Sequence, residues 1–113
     1  MNKRQLGGQK ETLAAEYLRR QGYEILGRNY YCPAGEIDIV AKDGVYLVFV
    51  EVKYRRDARF GMPAEAVTAR KQLTLRRAAQ YYMREHHTGE NRPCRFDVVG
   101  ILGTELTLIK DAF

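Results

Sequence analysis

The feature that most constrains the fold is an uninterrupted, mostly apolar segment at residues 45–55, which reads VYLVFVEVKYR. A strand this apolar is typical of the centre of a sheet, where both faces are buried. Asp43-Gly44 stands directly before it, and an Asp-Gly pair between two strand-like segments is a strong hairpin signal. The sequence therefore places a central strand near the middle of the chain and pairs it with the alternating segment 36–42.

The segments around this hairpin follow the order αβββαββ. Helical spacing of apolar residues and turn signals predict helices at 6–20 and 68–85, and strands at 23–31, 36–42, 45–55, 95–102 and 105–109. We expect an α/β fold in which a single mixed β-sheet is flanked by helices. Nothing resembling a linker divides the 113 residues, so residues 1–113 should form a single domain.

Three classes of protein are disfavoured by the composition. There is no apolar run of 18 residues, so we expect no membrane span. The first residues are polar, which argues against a signal peptide and favours the cytoplasm. The two cysteines, Cys32 and Cys94, have no metal-ligand spacing around them and are expected to be free, half-buried thiols.

Positive charge is concentrated in one region. The chain carries a net charge of +5, yet residues 53–77 alone hold eight basic and two acidic residues, which leaves the rest of the chain at −1. A nearly neutral body with one basic region is typical of proteins that bind polyanions, nucleic acid above all. A solvated helix face and a solvated loop are the alternative explanation.

Four charged residues of the predicted hairpin should project from one face of the sheet. If Asp43 and Gly44 form a two-residue loop, the numbers of residues opposite each other on the two strands add up to 87. Glu36 then faces Glu51, and Asp38 faces Phe49. Opposed residues, and residues two apart on a strand, share a face. Lys53 would then join the three carboxylates.

Carboxylates that cluster beside apolar neighbours destabilise a sheet unless something neutralises them. Hard oxygen ligands favour Mg²⁺ or Mn²⁺, and such an ion can acidify a bound water and stabilise charge on a phosphate. Lys53 would hold the attacking water or a phosphoryl oxygen. The competing interpretation pairs Glu51 with Lys53 and leaves Glu36 at a solvated strand end.

Asp38 is followed, after twelve intervening residues, by Glu51-Val52-Lys53. This spacing resembles the motif of the PD-(D/E)xK nuclease superfamily, whose core has the order αβββαβ. More closely, Gly35-Glu36-Ile37-Asp38, Phe49-Val50-Glu51-Val52-Lys53 and Phe60-Gly61 resemble the YraN family of uncharacterised bacterial proteins. The resemblance covers nearly the whole chain, and the family is similar to archaeal Holliday junction resolvases. It implies a restriction-endonuclease-like core followed by a C-terminal strand.

Several site residues follow from this resemblance. Asp38 and Glu51 would bind the metal ion, and Lys53 would be the catalytic lysine. Glu11 matches a helix glutamate that many such nucleases add to the metal site, although Lys10 stands where the family usually has glycine. Glu36 matches the family motif and is either part of the metal shell or a partner of a nearby cation.

Basic residues around the predicted site are candidates for contacts with nucleic acid. Arg55, Arg56 and Arg59 follow the third strand and suit contacts to backbone phosphates. Lys71 begins the apolar stripe of the second helix, so it either points toward the sheet and an anion or reaches back to solvent. Four tyrosines could stack on bases, although core packing is favoured: Tyr30, Tyr31, Tyr81 and Tyr82.

The function predicted from the sequence is metal-dependent, endonuclease-like cleavage of nucleic acid, with DNA favoured over RNA and branched or repair intermediates as candidate substrates. The alternative is a nucleic-acid-binding module that has the nuclease fold but no significant cleavage activity. A third hypothesis is a structural or partner-binding protein whose carboxylates only order the hairpin. A homodimer would suit a branched substrate, because two strands must be cut.

Overall fold

The computed structural model describes residues 2–89 and 91–113. Within them the chain forms two α-helices, one short 3-10 helix and five β-strands. In chain order they are α1 (Lys3–Arg20), β1 (Glu24–Cys32), β2 (Gly35–Asp43), β3 (Tyr46–Arg55), the 3-10 helix (Pro63–Ala66), α2 (Ala69–Glu85), β4 (Cys94–Leu102) and β5 (Glu105–Ile109).

The five strands form one mixed sheet in the order β1-β2-β3-β4-β5. β1, β2 and β3 pair antiparallel, β3 pairs parallel with β4, and β5 returns antiparallel to β4. The parallel pair requires a crossover, which the 3-10 helix and α2 supply. The predicted α/β class, with its single mixed sheet flanked by helices, is confirmed.

The two helices pack on opposite faces of the sheet. Ala14, Ala15 and Leu18 of α1 lie in one buried cluster with Val48 and Val50. On the other face, a second buried cluster joins α2 to the strands. It includes Leu75, Ala78, Ala79 and Tyr82 of α2, which pack with Ile37 and Val40 of β2 and with Leu47 and Phe49 of β3. Burial of β3 on both faces explains why its sequence is so uniformly apolar.

Most boundaries lie within one residue of the sequence-based expectation, and two features differ by more. α1 begins at Lys3 rather than near residue 6, because the Asn2 side chain accepts a hydrogen bond from the Gln5 amide at 2.8 Å and Gln5 caps in return. The β2–β3 turn uses Gly44 and Val45, since Asp43 pairs with Tyr46. Paired positions therefore sum to 89, and the predicted register was wrong by two residues.

A buried ionic network lies toward the β2–β3 turn. Asp97 is fully buried and accepts hydrogen bonds from Tyr23 at 2.6 Å and from the Arg95 guanidinium at 2.8 Å. Arg95 also donates to Asp43 at 2.8 Å, and the Asp97 carboxylate accepts the Asp111 amide at 3.0 Å. These bonds satisfy both Asp97 oxygens, so the network has a structural role and joins β4 to the chain after β5.

No described helix has the length and apolar character needed to cross a membrane. The two cysteines are free, as predicted, but Cys94 is exposed rather than half-buried, while Cys32 is partly buried.

Candidate active site

The candidate site lies where β2 and β3 separate. Their pairing runs from Asp43–Tyr46 to Ile39–Val50 and then stops. One step further along, the Asp38 carboxylate takes the place of a backbone acceptor and accepts the Val52 amide hydrogen bond at 2.9 Å. The strands thus diverge beside Asp38 and Glu51, and the side chain of Asp38 occupies the gap.

The alternation of side chains along β2 changes at Asp38. Ile37 packs in the cluster on the α2 side, whereas Ile39, two residues later, packs on the α1 side. The prediction that all four charged residues share one face was therefore wrong for β2. Glu36 lies on the α1 side, Glu51 lies on the α2 side beside Lys71, and Asp38 stands between them in the gap.

Three carboxylates converge on the α1 side of the gap. One oxygen from each of Glu11, Glu36 and Asp38 lies within 4.8 Å of the others. Burial, followed by the charges of Asp38 and Glu36, raises the pKa of Glu11 to about 7. Burial and Asp38 also raise the pKa of Glu36. In the metal-free protein Glu11 is therefore only partly ionised near neutral pH.

Asn29 is a further member of this cluster that the sequence did not reveal. Its backbone adopts a left-handed conformation with φ of 54°, which asparagine tolerates better than most residues. The amide orientation that satisfies its neighbours has the nitrogen donating to Glu11 at 2.8 Å and to Glu36 at 3.0 Å. The amide therefore holds two carboxylates in place without neutralising either of them.

Glu51 is the most deeply buried acid of the site, with 4% of its surface exposed. Burial, and next the neighbouring Asp38 carboxylate, raise the pKa of Glu51 to about 8, while Lys71 and Lys53 act in the opposite direction. The Lys71 ammonium lies 3.4 Å from Oε2, but no described donor makes a hydrogen bond to that oxygen. A buried carboxylate oxygen without a donor is uncommon in folded proteins.

These residues fit a hard divalent cation. Asp38 accepts the Val52 amide hydrogen bond with one oxygen, and Glu51 has a buried oxygen that accepts no hydrogen bond from a described residue. Glu11 and Glu36 add further oxygens beside Asp38. All four are carboxylates, the ligand type that Mg²⁺ and Mn²⁺ prefer. Burial raises the pKa values of Glu11, Glu36 and Glu51, so a cation bound between them would favour their ionised forms.

Cationic side chains line the same opening. A cleft of about 600 Å³ runs between α1 and the ends of β2 and β3, and its lining includes Asp38, Glu51, Lys53, Lys71, Lys3 and Lys10. Lys10, which departs from the family pattern, lies over the Tyr54 ring with its amine 4.4 Å from the ring centre. Lys3 and Lys10 were not predicted as site residues, because their positions on α1 give no sign that they face the cleft.

The other predicted residues divide into two groups. Arg55 is half-buried at the end of β3, Arg56 and Arg59 are exposed in the loop beyond it, and none of the three lines the cleft. Among the tyrosines, Tyr30 and Tyr82 pack edge to face in the core, as favoured. Tyr31 and Tyr81 are exposed, by 68% and 40%.

The alternative ion pairing is not observed among the described residues. Glu51 pairs with Lys71 across to α2, not with Lys53 on its own strand, and Glu36 has no ion pair with Arg55 or Lys53. Lys71 thus points at the sheet rather than only into solvent, although its side chain is still 35% exposed.

The fold and the cleft define a small α/β protein with a carboxylate cluster at the separation of two central strands and lysines around it. The chain belongs to the family described as "Uncharacterised protein family UPF0102", which matches residues 10–101. A UPF0102 protein of Lachnoclostridium phytofermentans is 55% identical over 113 residues, covering 100% of this chain and 96% of that protein. Another, from Caldicellulosiruptor saccharolyticus, is 47% identical over 119 residues and covers 100% of both chains.

Proposed function

We propose that this protein is a Mg²⁺- or Mn²⁺-dependent phosphodiesterase that cleaves nucleic acid internally. The observation that carries the proposal is the buried Glu51 carboxylate, which lies next to Asp38 in a lysine-lined cleft. Its Oε2 accepts no hydrogen bond from a described residue and faces only the Lys71 ammonium, at 3.4 Å. A purely structural carboxylate would be expected to have its hydrogen bonds satisfied, as those of Asp97 are.

Each residue has a role in this proposal that its position supports. Asp38 and Glu51 would hold the ion from the two sides of the gap, and Glu11 would complete the ligand set from α1. The bound ion would acidify a water molecule and stabilise negative charge on the phosphate. Glu36 and Asn29 would position Glu11. Lys53, beside Glu51 in the cleft, would donate to a phosphoryl oxygen or to the attacking water.

Cations outside the ligand set would bind the polyanion. Lys3 and Lys10 on α1, together with Lys71 on α2, place positive charge on both walls of the cleft. Arg55, Arg56 and Arg59 would extend this surface beyond β3. Such contacts hold the phosphate backbone without reading sequence. DNA is favoured over RNA through the resemblance to Holliday junction resolvases, and a homodimer able to cut two strands is proposed on the same ground.

Cleavage assays with purified protein would test the proposal. Fluorescently labelled single-stranded DNA, duplex DNA, a four-way junction and an RNA of the same sequence would be incubated with Mg²⁺, Mn²⁺ or EDTA. We expect metal-dependent cleavage of at least one substrate, reduced at least 100-fold in Asp38→Asn, Glu51→Gln and Lys53→Met. Glu105→Gln, an exposed carboxylate on β5, is the matched control and should retain full activity.

Two results would change the assignment. Tight, salt-sensitive binding with no cleavage of any substrate would favour the nucleic-acid-binding module over the enzyme. Activity that survives in both Asp38→Asn and Glu51→Gln would show that cleavage comes from a contaminant or another site.

A further inference from the structure

The loop that joins β3 to the 3-10 helix, residues 56–62, presents a large aromatic ring to solvent. Phe60 is 79% exposed, the highest value among the exposed large hydrophobic side chains of the described residues. Met62, two residues later, is also exposed, by 47%. Phe60 and Met62 therefore leave apolar surface on this loop that is open to a partner.

The loop is held in shape by its own hydrogen bonds. Asp57 accepts the Arg59 amide at 3.0 Å, the Gly61 amide donates to the Ala58 carbonyl at 3.1 Å, and Glu65 accepts the Met62 amide at 3.2 Å. Gly61 has a φ of 106°, and a Cβ there would collide with the Glu65 carboxylate. Phe60 is therefore presented by an ordered turn, which lowers the entropy cost of using it to bind.

The surroundings of Phe60 select the chemistry of the partner. Arg59 is its direct neighbour and Arg56 lies four residues before it, and both are exposed. Two cleft residues flank the loop in the chain, since Lys53 lies before it on β3 and Lys71 lies after it, beyond the 3-10 helix, on α2. A nucleic acid offers a partner to both kinds of side chain, phosphates to the arginines and base faces to the ring.

We propose that Phe60 stacks on an unpaired or unstacked base next to the bound phosphate, so that the substrates are nucleic acids with such a base: single strands, flaps, frayed ends or junctions. This inference rests on the proposed function. Inside an intact duplex the base faces are already covered, and exposing one costs a few kcal/mol. Phe60 would therefore favour structures in which that cost is already met.

The natural chain contains no tryptophan, so Phe60→Trp introduces a single fluorescent reporter. Val45→Trp is the matched control, because Val45 is 68% exposed in the β2–β3 turn at the opposite end of β3. Both variants would be titrated in Ca²⁺ with a single-stranded 16-mer and with the blunt duplex of the same sequence. Labelled copies of both probes would report binding independently by anisotropy.

We expect the single strand to quench Phe60→Trp emission with the same midpoint as the anisotropy change, and to leave Val45→Trp emission unchanged. Phe60→Ala and Phe60→Leu should each weaken single-strand binding by roughly 5- to 150-fold, the range of one base stacked on an aromatic ring. Duplex binding should change by less than about 2-fold, because a stacked duplex offers the ring no open base face.

The opposite outcomes separate the two proposals. Binding of the single strand without a change in Phe60→Trp emission, or with full affinity in Phe60→Leu, would overturn the stacking role and leave the proposed function standing. No binding of the single strand would overturn the stacking role, and cleavage or binding of the four-way junction would show whether the proposed function still stands. A dimer in sedimentation that dissociates in Phe60→Ala would assign the ring to a contact between copies and overturn the inference.

Discussion

Replacing Glu51 by glutamine should stabilise the metal-free protein at pH 8 and have a much smaller effect at pH 5. The pKa of Glu51 is raised from 4.5 to about 8, chiefly by burial and then by Asp38, so the folded state keeps a proton that the unfolded chain releases. Between these two values the folded state binds more protons, and the free energy of unfolding therefore falls as the pH rises. Glutamine has nearly the same shape and no such titration.

The size of the effect follows from the two pKa values. They differ by about 3.5, and each unit corresponds to about 1.36 kcal/mol, which sets an upper limit of about 5 kcal/mol at pH 8. The gain should be smaller, because Asp38 shares the titration and because glutamine loses the attraction of the Lys71 ammonium at 3.4 Å. We expect the variant to be about 2–3 kcal/mol more stable than the natural protein at pH 8.

Urea unfolding in EDTA at pH 5, 6.5 and 8 would measure this difference, with Glu105→Gln as the control for loss of an exposed carboxylate. Adding Mn²⁺ at pH 8 should stabilise the natural protein, because the bound ion would compensate the negative charge of the Glu51 carboxylate. It should not stabilise Glu51→Gln, which has no carboxylate at this position. Parallel pH profiles for the natural protein and Glu51→Gln would refute the reasoning, as would a variant that is less stable at pH 8.

Three further predictions concern other parts of the chain. Lys71→Met should raise the pKa of Glu51 further, because it removes the nearest ammonium, and a ¹³C NMR titration of the glutamate carboxyls would show it. Asp97→Asn should destabilise the protein by about 3–5 kcal/mol in urea unfolding, because it leaves the Arg95 charge poorly compensated in a largely buried network. The last prediction concerns a variant in which Arg55, Arg56 and Arg59 are all replaced by alanine. It should bind nucleic acid more weakly for all sequences, and the salt dependence of binding should flatten by roughly one unit per lost phosphate contact. Unchanged affinity would show that these arginines form a merely solvated surface.

The sequence predicted the order of elements well because hydrophobic periodicity is a strong local signal. It placed β3 at the centre of the sheet from its apolar composition alone, and the structure confirms that position. The start of α1 was missed although Asn2 and Gln5 form a readable capping box, because the prediction followed the apolar spacing, which begins at Leu6.

The geometry of the candidate site was less accessible. The segment Glu36-Ile37-Asp38-Ile39 alternates without interruption, so nothing in it announces that the side-chain alternation changes at Asp38. The Asp-Gly signal suggested the wrong turn pair and shifted the register by two, an error that preserved the parity of the predicted faces. Asn29 joins the site through a left-handed backbone conformation, which only the folded chain reveals.

One signal was present but not used. Asp97 interrupts the apolar run Phe96–Gly100, and a lone acid in a buried strand implies a partner. The partner is Arg95 on the same strand, with Tyr23 contributed from far away in the sequence. Long-range partners of this kind cannot be assigned from spacing, since the distance along the chain says nothing about which loop returns to the strand.

The Asp38–Val52 hydrogen bond provides the protein with a built-in spectroscopic probe. In an intact ladder the Val52 amide would face a backbone carbonyl, whose electron density barely changes with the contents of the cleft. Here the Val52 amide donates a hydrogen bond to an Asp38 carboxylate oxygen at a distance of 2.9 Å. The chemical shift of the amide proton should therefore follow the charge on Asp38. A ¹⁵N-labelled sample titrated with Mg²⁺ or Ca²⁺, which are both diamagnetic, would therefore report binding of a cation through one backbone resonance, without any substrate or engineered label.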